Sequence, residues 1–168
     1  MRYIARDFFK VPSLVLILTV GLCLVMTGCV KTLPPPPSQP KTTLSSSFDD
    51  AWESVLDLFA ERGWGITVIE KESGVITSED LRVDTNHEYS KAAECQDMCW
   101  LCSEQYKTAQ LRFFVRKKSD TETDLIVKSF WKKLDCDVYG VSCRWMECVS
   151  LGQLELDIIN GIVNGRGF

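Results

Sequence analysis

The fold is decided by residues 111–134, LRFFVRKKSDTETDLIVKSFWKKL, which predict one long β-hairpin. Apolar and polar residues alternate on both sides of a polar turn at 119–122, as they do in strands that bury one face. The residues of the face that we expect to be buried are Leu111, Phe113, Val115, Leu125, Val127, Ser129 and Trp131. The segment therefore predicts two antiparallel strands, 111–118 and 124–134.

The other face of this hairpin is not purely polar, because Phe114, Ile126 and Phe130 would lie on it. A second apolar stripe on a sheet is either covered by another part of the chain or is a contact surface. Segments that carry most of the cysteines flank the hairpin, and we expect them to cover the stripe. A contact surface is the alternative.

Residues 48–62 predict a helix that precedes the hairpin. Its apolar residues recur at intervals of three and four, Ser47 is a suitable N-cap, and Gly63 suits the left-handed end of a helix. Two further strands, 64–70 and 75–78, are predicted around a turn at Ser73-Gly74.

A last helix is predicted over 151–163, where Leu151, Leu154, Ile158 and Ile162 recur at helical spacing and Ser150 with Gln153 matches a capping box. The resulting order is helix, two strands, insertion, two strands and helix. We therefore predict a single α+β domain over 48–165, in which two helices lie on one face of a four-stranded antiparallel sheet.

The opening unit also resembles a known family. Phe48, Trp52, Val55-Leu56, Gly63 and the segment Glu72-Ser73-Gly74-Val75-Ile76 are similar to the helix-grip domain of envelope lipoproteins, such as a lipoprotein component of the β-barrel assembly machinery. The resemblance covers residues 48–80 and implies a helix-grip-like fold. Its motifs are packing motifs, so they imply neither chemistry nor a role in barrel assembly.

The N-terminal residues predict export. Three basic residues in the first ten precede the mostly apolar stretch 11–26, which is typical of a secretory signal. Met26-Thr27-Gly28-Cys29 then resembles the lipidation site of bacterial lipoproteins. The resemblance implies that the signal peptide is 1–28, that cleavage falls between Gly28 and Cys29, and that Cys29 carries acyl chains; an uncleaved membrane anchor is the alternative.

A tether is predicted over 29–47, which is rich in proline and serine, because proline removes backbone donors and favours an extended chain. Val30 follows the modified cysteine, where lipoproteins kept in the inner membrane usually carry Asp. The resemblance therefore implies the periplasmic face of the outer membrane.

The net charge excludes one class of partner. The chain has 19 Lys and Arg against 23 Asp and Glu. Removal of residues 1–28 takes away three basic residues and one acidic residue, which leaves 16 against 22, a net charge of −6. Nucleic acid favours basic surfaces, so we expect none as a partner. We expect contact with the membrane through the lipid and with another envelope protein.

Six cysteines lie in the exported domain, in two groups of three: Cys95, Cys99 and Cys102, then Cys136, Cys143 and Cys148. An even number in an oxidising compartment predicts disulfides, although the sequence leaves the pairing open. The groups occupy two predicted insertions, at about 84–106 and 135–149. We expect at least one bridge to join them.

The sequence favours a non-enzymatic protein-binding or scaffold module, without a metal or cofactor. His87 is the only histidine and lies in a polar stretch, and no nucleophile motif accompanies it. One alternative is a thiol–disulfide oxidoreductase that uses Cys99 and Cys102, a CxxC pair. Zinc or iron–sulfur binding by the thiolates is less favoured, because export promotes their oxidation. Another alternative is a small-ligand binder with Trp64 and Trp131 as walls between sheet and helices.

Overall fold

Seven strands, two α-helices and one 3-10 helix form the part of the chain that the structure, a computed structural model, describes: residues 35, 40–84, 87–95, 103–137 and 139–164. The strands are β1 (Lys41–Leu44), β2 (Ile66–Glu70), β3 (Val75–Val83), β4 (Ala93–Cys95), β5 (Ser103–Lys117), β6 (Thr123–Cys136) and β7 (Cys143–Ser150). The α-helices are α1 (Phe48–Arg62) and α2 (Gln153–Asn164), and the 3-10 helix is Glu88–Lys91.

The central hairpin is confirmed, and it is longer than predicted. β5 and β6 pair from Ser103 opposite Cys136 to Lys117 opposite Thr123, with one register shift between Glu104 and Tyr106. These strands organise the whole sheet, whose order is β2-β3-β5-β6-β7-β4. All described strand pairs are antiparallel.

The expected four-stranded sheet is an undercount, because β1, β4 and β7 were not predicted. β1 lies in the segment assigned to the tether, after its prolines, and pairs with residues 123–126 of β6. β7 pairs with residues 131–136 of β6, and β4 pairs with β7. These strands lie in segments predicted to be a tether or insertions without regular structure. Residues 41–44 of the predicted tether and most of the second predicted insertion are strand instead.

Helix α1 begins and ends where its capping residues predict. The Ser47 hydroxyl accepts a hydrogen bond from the Asp50 backbone N–H at 3.2 Å, and Gly63 adopts φ +62°. Asp49 and Asp50 lie in the first turn, where the helix dipole favours negative charge.

Both α-helices pack on the same face of the sheet. Phe59 of α1 contacts Phe113 of β5 edge-on at 5.2 Å, and Glu155 of α2 contacts Ser129 of β6. Phe113 lies opposite Val127 in the ladder, so Ser129, two residues further on, shares its face. The fully buried side chains of this core include Val55, Phe59, Ile76, Leu111, Phe113, Val115, Leu125 and Val127. Burial of each large side chain contributes about 1.5–3 kcal/mol.

The turn between β2 and β3 is held against β5. Gly74 adopts φ +67°, and its carbonyl accepts a hydrogen bond from the Val115 backbone N–H at 2.8 Å. A Cβ atom on Gly74 would overlap the Val115 carbonyl oxygen. The turn predicted at Ser73-Gly74 therefore requires glycine for both its conformation and its close approach.

Helix α2 begins at Gln153 rather than at Leu151, and Ser150 does not form the predicted capping box. The Ser150 hydroxyl instead donates to Glu155 Oε1 at 2.7 Å and accepts from the Gly152 backbone N–H at 3.1 Å. The hydroxyl thus belongs to a buried polar cluster.

Candidate interaction site

Two disulfides tie together the end of the sheet that carries the cysteines. Cys95 of β4 is bonded to Cys148 of β7, with an S–S distance of 2.00 Å, and Cys136 is bonded to Cys143 at 2.06 Å. In both bridges the two residues are direct partners across antiparallel strands. The expected bridge between the two cysteine groups is confirmed by Cys95–Cys148.

The second disulfide closes the hairpin 136–143, which we call the stapled hairpin. The Asp137 carboxylate holds its loop: Oδ1 accepts from the Tyr139 and Val141 backbone N–H groups at 3.2 and 2.9 Å. Oδ2 accepts from the Ser142 N–H at 3.2 Å. Gly140 turns the chain at φ +68°. One covalent bond and one carboxylate thus fix the loop backbone, in the manner of an Asx turn.

The stapled hairpin presents apolar side chains to solvent. Tyr139 is 88% exposed and Val141 is 84% exposed, so neither contributes much to the core. Trp145, on the strand that leaves the loop, is also exposed and contacts Tyr106 edge-on at 5.6 Å. Tyrosine and tryptophan dominate the binding energy of many protein interfaces. The tip therefore has the composition of a contact element.

Aromatic rings and cations alternate on the sheet face opposite the helices. The Arg112 guanidinium carbon lies 5.1 Å from the centre of the Phe130 ring. Lys128 Nζ and the Arg116 guanidinium lie 5.3 and 5.9 Å from the Phe114 ring. These distances fall within the range of cation–π attraction. We call this surface the cationic face and define it by Arg112, Phe114, Arg116, Lys128, Phe130 and Lys132.

The expectation that the cysteine segments cover this stripe is not met at Phe130. Phe130 remains 44% exposed, while Phe114 and Ile126 are half-buried. The described part of the first cysteine segment, β4, instead joins the sheet as its edge strand beyond β7. Among the described residues of the stripe, Phe130 is therefore open to solvent, and residues 96–102 of the first cysteine segment lie outside the described part of the chain.

A buried carboxyl group joins α2 to the sheet. Glu155 is 4% exposed, and its Oε1 accepts from the hydroxyl groups of Ser129 and Ser150 at 2.6 and 2.7 Å. The Trp131 indole N–H donates to the Ser129 hydroxyl at 2.6 Å, which extends the network. Such a network orients α2 on the sheet.

A second buried cluster of charged groups lies under the cysteine-rich end. Lys107 and Lys133 are direct partners in the β5–β6 ladder, and both are buried. Lys107 Nζ donates to the Ser90 carbonyl at 2.7 Å, and Lys133 Nζ lies 3.5 Å from the Asp135 carboxylate. These contacts tie the 3-10 helix to the sheet, so the cluster has a structural role.

Of the two tryptophans expected to wall a small-ligand site, Trp131 belongs to the core and Trp64 packs against it. Trp131 is buried in the core, and Trp64 packs edge-on against Phe59 at 5.7 Å. An open cleft of about 460 Å³ lies beside Lys71, Gly74 and neighbouring residues of β5. Its charged lining consists of Glu72 together with Lys71, Arg116 and Lys117.

Several predicted site residues lie outside the described part of the chain. These are Gly28, Cys29, Cys99 and Cys102, so the cleavage, the lipidation and the CxxC pair remain predictions. His87 lies at the start of the 3-10 helix, where its Nδ1 accepts from the Tyr89 backbone N–H at 3.3 Å. Among the described residues, no group of His, Cys, Asp and Glu has the arrangement of a metal site.

Sequence reasoning missed the apolar tip of the stapled hairpin. Its signal was Tyr139 and Val141 between two cysteines only seven positions apart.

No described helix is long and apolar enough to cross a membrane. Neither the protein-family models nor the curated proteins include a match to this chain.

Proposed function

We propose that this protein is a lipid-anchored envelope protein that binds another envelope protein through the stapled hairpin. The observation that carries the proposal is the exposure of Tyr139 and Val141 on a loop whose backbone is fixed. Binding then requires less ordering of Tyr139 and Val141, because the backbone N–H groups of both residues already donate to the Asp137 carboxylate. An apolar pocket in the partner would bury both side chains.

The two disulfides support the location outside the cytoplasm. Structural disulfides persist in oxidising compartments and are rare in the cytosol. The predicted signal at 1–28 and the predicted acyl chains on Cys29 give the same location, and Val30 favours the outer membrane. The helix-grip-like arrangement of α1, the sheet and α2 is consistent with the envelope lipoproteins that residues 48–80 resemble.

Intact mass of the purified full-length product tests the anchor. We expect loss of residues 1–28 and a mass increase from acyl chains on Cys29. An unprocessed chain, or a processed chain without acyl groups, contradicts this part of the proposal.

Co-purification from detergent extracts tests the binding. We expect Tyr139→Ser with Val141→Ser to lose the proteins that the wild type captures, because the exchange removes apolar contact area from the tip and keeps the loop hydrogen bonds. Leu156→Ser with Val163→Ser is the matched control, since both residues are exposed apolar residues of α2. Equal capture by wild type and the hairpin variant contradicts the proposed contact.

A further inference from the structure

The exposed side of α1 carries a ridge of carboxylates. Asp50, Glu53, Asp57 and Glu61 are all exposed and recur at intervals of three, four and four residues, which places them on one side of the helix. The opposite side, with Trp52, Val55 and Phe59, is buried against the sheet. At 1.5 Å per residue the acidic ridge is about 16 Å long.

Two carboxylates lie beside the cationic face in the ladder, Asp124 opposite Arg116 and Glu147 opposite Lys132. Among the described residues, Arg112, Arg116, Lys128 and Lys132 form no ion pair. Asp124, the nearby acid on β6, is bound instead by Lys41 at 2.7 Å. Arg112 also has a buried Nε atom without a hydrogen-bond partner. Aromatic rings, rather than acids, hold three of these cations.

The two surfaces match in sign and in length. Arg116 lies opposite Asp124, and Arg112 lies opposite Lys128, four residues further along β6. At about 3.4 Å per residue, this stretch of cations extends about 14 Å along the strands. The ridge of four carboxylates is therefore long enough to lie along Arg112, Arg116 and Lys128, while Lys132 lies beyond its end.

We propose that the acidic ridge of one copy of this protein docks on the cationic face of a second copy. The ridge and the face lie on opposite sides of the two-layer fold, so the contact is head-to-tail. Each added copy leaves one ridge and one face unoccupied, which allows rows of molecules rather than closed dimers. The contact is a surface separate from the stapled hairpin, so rows leave Tyr139 and Val141 available to another protein.

The interaction is weak in dilute solution, because exposed ion pairs are screened by salt. Confinement to a membrane surface raises the effective concentration of the copies. Co-capture of two differently tagged full-length chains from one detergent extract measures the association. We expect wild-type copies to capture each other at about 0.05 M salt and to separate at about 0.5 M, where the Debye length is much shorter.

Charge reversal identifies the two surfaces. The face variant is Arg116→Glu with Lys128→Glu, and the ridge variant is Glu53→Lys with Asp57→Lys. Neither variant should capture copies of itself, because one of its two surfaces has then lost its net charge. The two variants mixed should capture each other, because the unchanged acidic ridge of the face variant then meets the unchanged cationic face of the ridge variant. This recovery also shows that both variants fold.

Lys117→Glu with Lys118→Glu is the matched control, since it makes the same charge change as the face variant at the end of β5 and the start of the following turn, where both lysines pair with local acids. It should self-associate like the wild type. Failure of wild-type chains to capture each other at low salt overturns the proposal, as does absence of recovery in the mixture. Tyr139 and Val141 are unchanged throughout, so either failure is distinct from failure of the hairpin contact.

Discussion

Glu155 of α2 accepts a hydrogen bond from the Ser129 hydroxyl of β6 at 2.6 Å, at the point where β6 lacks a strand partner on one side. β1 pairs with β6 only as far as Ile126, and β7 pairs with it only from Trp131 onward. The same Oε1 atom also accepts from the Ser129 backbone N–H at 3.3 Å. A helix side chain thus replaces the missing strand.

This role predicts a large effect of Glu155→Ala on stability. The exchange leaves the Ser129 and Ser150 hydroxyl groups and the Ser129 N–H without their acceptor in a buried site. We expect the free energy of unfolding to fall by about 2 kcal/mol, measured by urea denaturation. Asp157→Ala, on a more exposed part of α2, is the control and should change it by less than about 0.5 kcal/mol. Equal effects of the two exchanges contradict the assigned role.

The two disulfides should differ in their contribution. Cys95–Cys148 spans 53 residues and Cys136–Cys143 spans seven. The chain-entropy estimate gives about 4 kcal/mol for the first and about 2 kcal/mol for the second. We therefore expect Cys95→Ala with Cys148→Ala to lower the melting temperature more than Cys136→Ala with Cys143→Ala. The reverse order would show that the longer bridge does not constrain the unfolded chain as assumed.

Replacement of Gly63 or Gly74 by alanine distinguishes the effect of backbone strain from the effect of steric overlap. Both have positive φ, +67° and +62°, but only a Cβ atom on Gly74 meets another part of the chain, the Val115 carbonyl. Gly63→Ala should lower the free energy of unfolding by about 1–2 kcal/mol through backbone strain alone. Gly74→Ala should lower it further, because β5 must move. Equal losses in thermal denaturation would show that the turn relaxes without cost.

Asp124 makes the docking of β1 dependent on pH. Hydrogen bonds from Lys41 and Thr43 hold the pKa of the Asp124 carboxyl group below its usual value. A pKa that is lower in the folded state adds stability above the unfolded pKa, about 3.9, and this stability is lost as the pH falls through the folded pKa. Wild type should therefore be more stable than Asp124→Asn at pH 7, and the difference should shrink below about pH 3.9. A difference that does not change with pH contradicts this origin.

The sequence predicted the elements whose patterns are local. α1 has a capping residue at each end, and β5 and β6 alternate around a polar turn, so each could be recognised alone. β1, β4 and β7 could not, because they are four, three and eight residues long and form by pairing with strands that are distant in sequence. β7 has mostly exposed side chains, so no alternation of burial marks it.

The candidate site was predictable only in part. The even number of cysteines predicted the disulfides. Cys95–Cys148 joins the two groups of cysteines, as expected. The contact surface did not follow from the sequence, since Tyr139 and Val141 resemble core residues until the loop is seen to point away from the core. Phe130 was expected to be covered because the positions of the cysteine segments relative to the sheet were unknown.

Site-specific photocrosslinking from position 139 in intact cells tests the proposed partner contact most directly. Replacement of Tyr139 by a photoreactive phenylalanine analogue keeps an aromatic ring at the tip of the stapled hairpin. We predict a crosslinked product of discrete mass that contains another envelope protein, and none of that product from the exposed control position Ser119. The same products from both positions, or no protein product from position 139, would contradict the account.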